Sequence, residues 1–104
     1  MSIEQLAETA QAMVAAGKGI IAIDESTATI AKRFAGVGVE NTEENRRAYR
    51  EMLLTTPKLG EHISGAILFD ETLRQSTKAG VPFTKIMMDN GIIPGIKVDK
   101  GTFP

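Results

Sequence analysis

Three short apolar runs, each ending at a carboxylate, constrain this chain more than any other feature: "GIIAID" (19–24), "SGAILFD" (64–70) and "IIPGIKVD" (92–99). Short, unbroken, branched runs of this kind fit strands covered on both faces better than half-exposed ones, where polar residues would alternate. Between them the apolar residues recur at helical spacing instead. Ser2 with Gln5 forms a capping box ahead of Ile3, Leu6, Ala7, Ala10, Met13 and Val14, and Gly17 offers a stop. "STATIAKRF" (26–34) reads as a short helix ended by the glycines of "AGVGVE". Asn41 is the expected cap of the next helix, with Glu44 reaching back, an apolar stripe of Ala48, Tyr49, Met52 and Leu53, and Pro57 beyond its end. "PFTKIMMDNG" (82–91) reads as a further helix with a glycine stop.

Strands alternating with helices predict βαβ units and a parallel sheet, an α/β fold. In such folds a ligand sits outside the carboxyl ends of the strands. The charge that ends each run therefore stands where chemistry would be placed. Asp24, Asp70 and the pair Lys97 and Asp99 all occupy that kind of position.

Composition narrows the chemistry. A chain of 104 residues is enough for one small domain, and no segment reads as a linker, repeat or low-complexity tract. A net charge of -1 gives no reason to expect nucleic acid or an anionic membrane as partner. Without cysteine there is no disulfide or thiolate metal site, and His62 alone makes no histidine cluster. The start, "MSIEQLAETAQAMV", is acidic and amphipathic, unlike a signal peptide, and no apolar run approaches the roughly 18 to 20 residues of a membrane span. A cytoplasmic protein is expected.

Each candidate residue has a structural alternative. Asp24 fits either a helix N-cap or a site carboxylate, and Ser26, Thr27 and Thr29 fit either a helix start or a phosphate contact. Lys32 and Arg33 read as a solvated face. Arg46 and Arg47, near Glu43 and Glu44, read as surface ion pairs. Lys97 lies between Ile96 and Val98, so period-two alternation turns it to the same side as Asp99. A lysine there binds phosphate or assists proton transfer, because an unpaired buried one would carry a heavy desolvation cost.

At "GIIAIDESTATIAKRF", "GVENTEENRRAYREMLLTTP", "SGAILFDETL" and "GIIPGIKVDKGT" the chain resembles the N-terminal part of class I fructose-bisphosphate aldolase, in one register from about Leu6 to Thr102. The resemblance implies an N-terminal helix followed by the first three βα units of a (β/α)8 TIM barrel, so that 1–104 would be one incomplete domain. A whole barrel takes about 250 residues. It implies a homo-oligomeric parent enzyme with no metal or other cofactor, cleaving fructose 1,6-bisphosphate to dihydroxyacetone phosphate and glyceraldehyde 3-phosphate through a lysine Schiff base. Carried over on the matching motifs, Asp24 belongs to the proton network around the C4 hydroxyl. Ser26, Thr29 and Lys97 surround the C6-phosphate, and Arg33 and Arg46 are associated with substrate phosphate. The Schiff-base lysine, the acid/base glutamate, a later lysine and the C1-phosphate loop are expected beyond Pro104. Ala16, Ile23 and Ala28 depart from the residues expected of the family; Ala28 suits a helix, while Ile23 alters packing beside Asp24. The rival readings are a non-catalytic module that binds phosphate esters or docks on another chain, and one subunit of a split enzyme.

Overall fold

The computed structural model describes residues 2–100, so "GTFP", where the family-like stretch runs out, lies outside the described residues. The capping box forms as expected. Ser2 Oγ accepts the Gln5 N–H at 3.1 Å, and Gln5 Oε1 accepts the Ser2 N–H at 2.8 Å, starting α1 (Ile3–Met13). No residue of α1 is buried, and Ile3, Leu6 and Val14 are exposed. The helix seats against β2 where Met13 lies over Gly65, a place with no room for a Cβ, and where the Ser64 hydroxyl donates to the Met13 carbonyl.

After α1 come β1 (Gly19–Ile23), α2 (Thr27–Ala35), α3 (Glu43–Leu54), the single turn α4 (Leu59–His62), β2 (Ile63–Leu68), the single turn α5 (Asp70–Leu73), α6 (Phe83–Asp89) and β3 (Ile93–Ile96). The strands form one three-stranded parallel sheet in the order β1-β2-β3. Parallel neighbours cannot be joined by tight hairpins, and the helices supply the crossovers. Ile23 pairs with Leu68 and Leu68 with Ile96, so the three strands end level.

Ile23, Leu54, Ala66, Leu68, Phe83, Met87 and Ile92 make the core, where one sheet face meets α3 and α6. Fully burying side chains of the Leu, Ile, Phe or Met type contributes about 1.5 to 3 kcal/mol each. α6 stops as expected, with Gly91 in the left-handed region at φ 72°. No helix among the described residues is long and apolar enough to cross a membrane.

The structure corrects several local expectations. Cover on both faces holds only for β2, which buries Ser64, Gly65, Ala66 and Leu68; β1 buries Ile23 alone and β3 buries nothing. The reason is position, since β1 and β3 are the edges of the sheet. β3 ends at Ile96 rather than running to Asp99, although the Lys97 N–H still donates to the Leu68 carbonyl at 2.9 Å. Thr42, not Asn41, caps α3: its Oγ1 accepts the Asn45 N–H at 3.1 Å, while Asn41 Oδ1 accepts from Arg46 Nη1 at 2.9 Å. The buried positions of α3 are Arg50 and Leu54, and Met52 is exposed. Arg50 can lie inward because Glu71 and Gln75 meet its guanidinium there.

Candidate active site

The residues just past the strand ends define the site. Ile23 and Leu68 lie in the core and share one register with the exposed Ile96, so alternation turns the following residues, Asp24, Phe69 and Lys97, to the side of the sheet away from the core. Asp24 is not the cap of α2. That place belongs to Ser26, whose Oγ accepts the Thr29 N–H at 3.4 Å and shares a 3.2 Å hydrogen bond with the Thr29 hydroxyl. The Asp24 carboxylate lies instead 4.0 Å from Lys97 Nζ.

Lys97 Nζ also donates to Asp99 Oδ1 at 2.7 Å. The hydrogen bond to Asp99 raises the pKa of the ammonium, burial opposes the shift, and the charges of Asp99 and Asp24 add to it. Lys97 is accordingly a firm cation and a poor free amine. On the other side of the same depression the Arg33 guanidinium pairs with the Glu25 carboxylate, to which the Tyr49 hydroxyl also donates at 3.3 Å.

The depression has a volume of about 450 Å³ and brings together Asp24, Ser26, Thr29, Arg33 and Lys97. Glu25, Phe69, Asp99 and Lys100 complete its lining. Sequence alone assigns no role to Glu25 or Phe69. The only available signals were adjacency to Asp24 for one and the strand register for the other. Three carboxylates and three cations face one space, so it is nearly neutral when empty. Such a set can take a phosphate ester on its cations and place a carboxylate beside a substrate hydroxyl.

Arg46 lies elsewhere. Its Nε and Nη2 donate to the two Glu71 oxygens at 2.8 and 3.0 Å, and Arg50 Nη1 donates to Glu71 at 2.6 Å and to Gln75 at 2.8 Å. The Arg46 hydrogen bonds, aided by Arg50 and opposed by burial, draw the Glu71 carboxyl down to about 2. Asp70 is likewise outside the depression, 3.1 Å from Arg74 on the exposed surface. Arg47 makes the expected ion pair with Glu44 and a second with Glu51, but its side chain is only 15% exposed. A separate apolar groove between α2 and α3, lined by Phe34, Val37, Val39 and Met52 among others, has Arg33 as its one charged wall. It lacks the paired acids and bases that chemistry needs.

The family model described as fructose-bisphosphate aldolase class-I matches residues 5–104. The chain belongs to the class-I fructose-bisphosphate aldolase family. It is 84% identical over 104 residues to a probable fructose-bisphosphate aldolase class 1 of Xanthomonas campestris pv. campestris, covering 100% of this chain and 31% of that protein. With a chloroplastic fructose-bisphosphate aldolase 1 of Chlamydomonas reinhardtii the identity is 59% over 101 residues, covering 97% and 27%. The chain thus spans between a quarter and a third of the length of these curated aldolases. Among solved structures, a fructose-bisphosphate aldolase of Plasmodium falciparum, crystallised with TRAP and a small-molecule inhibitor, superposes with a TM-score of 0.91 at 60% identity, over 94% of this chain and 28% of that one. The parallel sheet and its helices are therefore those of an aldolase.

Proposed function

We propose that residues 1–104 form the first strands of a (β/α)8 barrel that cleaves fructose 1,6-bisphosphate to dihydroxyacetone phosphate and glyceraldehyde 3-phosphate by the Schiff-base route. The observation that carries this reading is the meeting of Asp24, Ser26, Thr29 and Lys97 at the carboxyl ends of parallel strands. Cleavage of the C3–C4 bond needs the C4 hydroxyl to lose its proton and the C2 carbon, as an iminium, to accept the electron pair. Asp24 is assigned to the proton network around the C4 hydroxyl. Ser26, Thr29 and Lys97 hold the C6-phosphate. Arg33 and Arg46 are assigned to substrate phosphate, and for Arg46 this requires release from Glu71.

Lys97 is not the imine-forming amine in this reading, because its partners keep it protonated. The amine comes from a further barrel strand. Among the described residues no strand pairs with the outer sides of β1 and β3, where such strands can join. The test is borohydride trapping with dihydroxyacetone phosphate. A full-length aldolase carrying this segment should gain one stable adduct at a lysine outside 1–104, and the 104-residue chain alone should gain none. Stoichiometric labelling of Lys97 or Lys100 in the short chain would overturn the assignment of the sink. Phosphate-ester binding without any adduct in the full-length protein would select the non-catalytic module instead.

A further inference from the structure

We infer that Glu25 is a positioning residue that holds the Arg33 guanidinium until an anion enters, and so sets how tightly the depression takes a phosphate ester. The inference rests on the phosphate reading given above. It starts from a contrast between two arginine–glutamate pairs. Arg46 is 11% exposed and grips Glu71 through two parallel hydrogen bonds, a fork that also receives Arg50. Arg33 is 59% exposed and meets Glu25 through Nη1 alone. The first pair is the more firmly held, and the second is the more readily exchanged.

Within the exchangeable pair, the anion is the member held in place. Glu25 is only 9% exposed, and its Oε2 accepts both Arg33 Nη1 and the Tyr49 hydroxyl. Tyr49 is itself set edge-on against the buried Phe34 ring, at 5.8 Å between centroids and 87° between planes. The backbone on either side is also committed, with the end of β1 before Glu25 and the Ser26 cap of α2 after it. Arg33, by contrast, sits on a long, rotamer-rich side chain in the last turn of α2.

A guanidinium carries five N–H donors in a planar fork. One contact to Glu25 leaves most of them unused. A phosphate dianion in the depression offers twice the charge of a carboxylate and three acceptor oxygens, so Arg33 gains by turning to it. The pair with Glu25 must be given up or shared at that moment. Glu25 therefore competes with the ligand for Arg33.

The sign of the effect separates competition from a merely structural role. In a full-length aldolase carrying this segment, Glu25→Gln should lower the inhibition constant of inorganic phosphate by roughly three- to fivefold, the upper range for release from a partly exposed ion pair. The KM for fructose 1,6-bisphosphate should fall with it. Arg33→Met should raise the inhibition constant, and adding Glu25→Gln to Arg33→Met should bring no recovery. An inhibition constant that rises or stays constant in a folded Glu25→Gln enzyme overturns the inference. An equal gain in the Arg33→Met background overturns it too, since that gain would come from the lost charge alone. Should Glu25→Gln fail to fold, the wild-type enzyme still decides: the side-chain nitrogen signals of Arg33 must shift on titration with inorganic phosphate while those of Arg50 stay still, and a silent Arg33 sinks the idea. A wild-type enzyme that does not cleave the bisphosphate would remove the aldolase assignment and this inference with it. One that cleaves but ignores Glu25 would remove only the inference.

Discussion

Lys97 Nζ stands 4.0 Å from the Asp24 carboxylate, although the two residues leave strands that are not neighbours, with β2 between them. The span is possible because both side chains turn to the same side of the sheet and lysine is long. Asp24 and Lys97 are 23% to 30% exposed, so solvent screens their attraction only in part. A carboxylate suited to proton transfer and a cation suited to phosphate thus share one space.

Asp24→Asn in the full-length aldolase should cut turnover by roughly 10² to 10⁴ with a smaller change in KM, the range for a residue engaged in proton transfer. Its melting temperature should hardly move, because Ser26 is the cap of α2. Ser26→Ala should in turn cost about 1 kcal/mol of stability. Unchanged turnover in a destabilised Asp24→Asn enzyme would give Asp24 a structural role.

Lys97→Met should damage cleavage of fructose 1,6-bisphosphate more than that of fructose 1-phosphate, because only the former carries the C6-phosphate. Charge-assisted contacts of about 1.5 to 3 kcal/mol predict a change of roughly one to two decades in the ratio of kcat/KM values. Lys85→Met is the control and should leave the ratio nearly constant, since Lys85 is exposed, pairs with Asp89 on α6 and does not line the depression. Equal losses on both substrates would count against the phosphate role.

Glu71 should govern acid stability. Its carboxyl is drawn from the ordinary 4.5 down to about 2, chiefly by the Arg46 hydrogen bonds. A depressed carboxylate contributes stability in full above the unfolded value and loses it as pH falls through the folded one. The contribution should therefore fade between about pH 4.5 and about pH 2. Glu71→Gln should cost about 3 to 5 kcal/mol at neutral pH, because buried Arg50 loses its counter-charge. Parallel acid titrations of the two proteins, followed by circular dichroism, should converge below pH 2. A constant difference across that window would contradict the assignment.

The 104-residue chain alone should self-associate, because among the described residues no strand pairs with the outer sides of β1 and β3, and α1 leaves Ile3, Leu6 and Val14 exposed. Amide exchange should be slowest in β2 and fast in 93–96. A sharp two-state transition from a monomer at micromolar concentration would favour an independently stable module.

What could be read from residues alone was local. The three apolar runs became the three strands, the Ser2 box capped α1, and Gly91 closed α6, since each depends on backbone preferences within a few positions. The motif around Asp24 likewise marked the place where the depression lies. Other features depended on contacts between distant segments. Asn41 and Thr42 are both able caps, and the choice went to Thr42 once Asn41 accepted from Arg46. Arg50 lies inside a helix that reads as having an apolar inner stripe, because Glu71, far along the chain, meets it there. Whether Asp24 caps a helix or faces a cation was settled by parallel register, which set the end of β3 level with the end of β1 and brought Lys97 within reach. A sequence encodes which groups are charged and which local structures they prefer. The energy of a charge depends on what the fold sets beside it, and only the packed chain decides that.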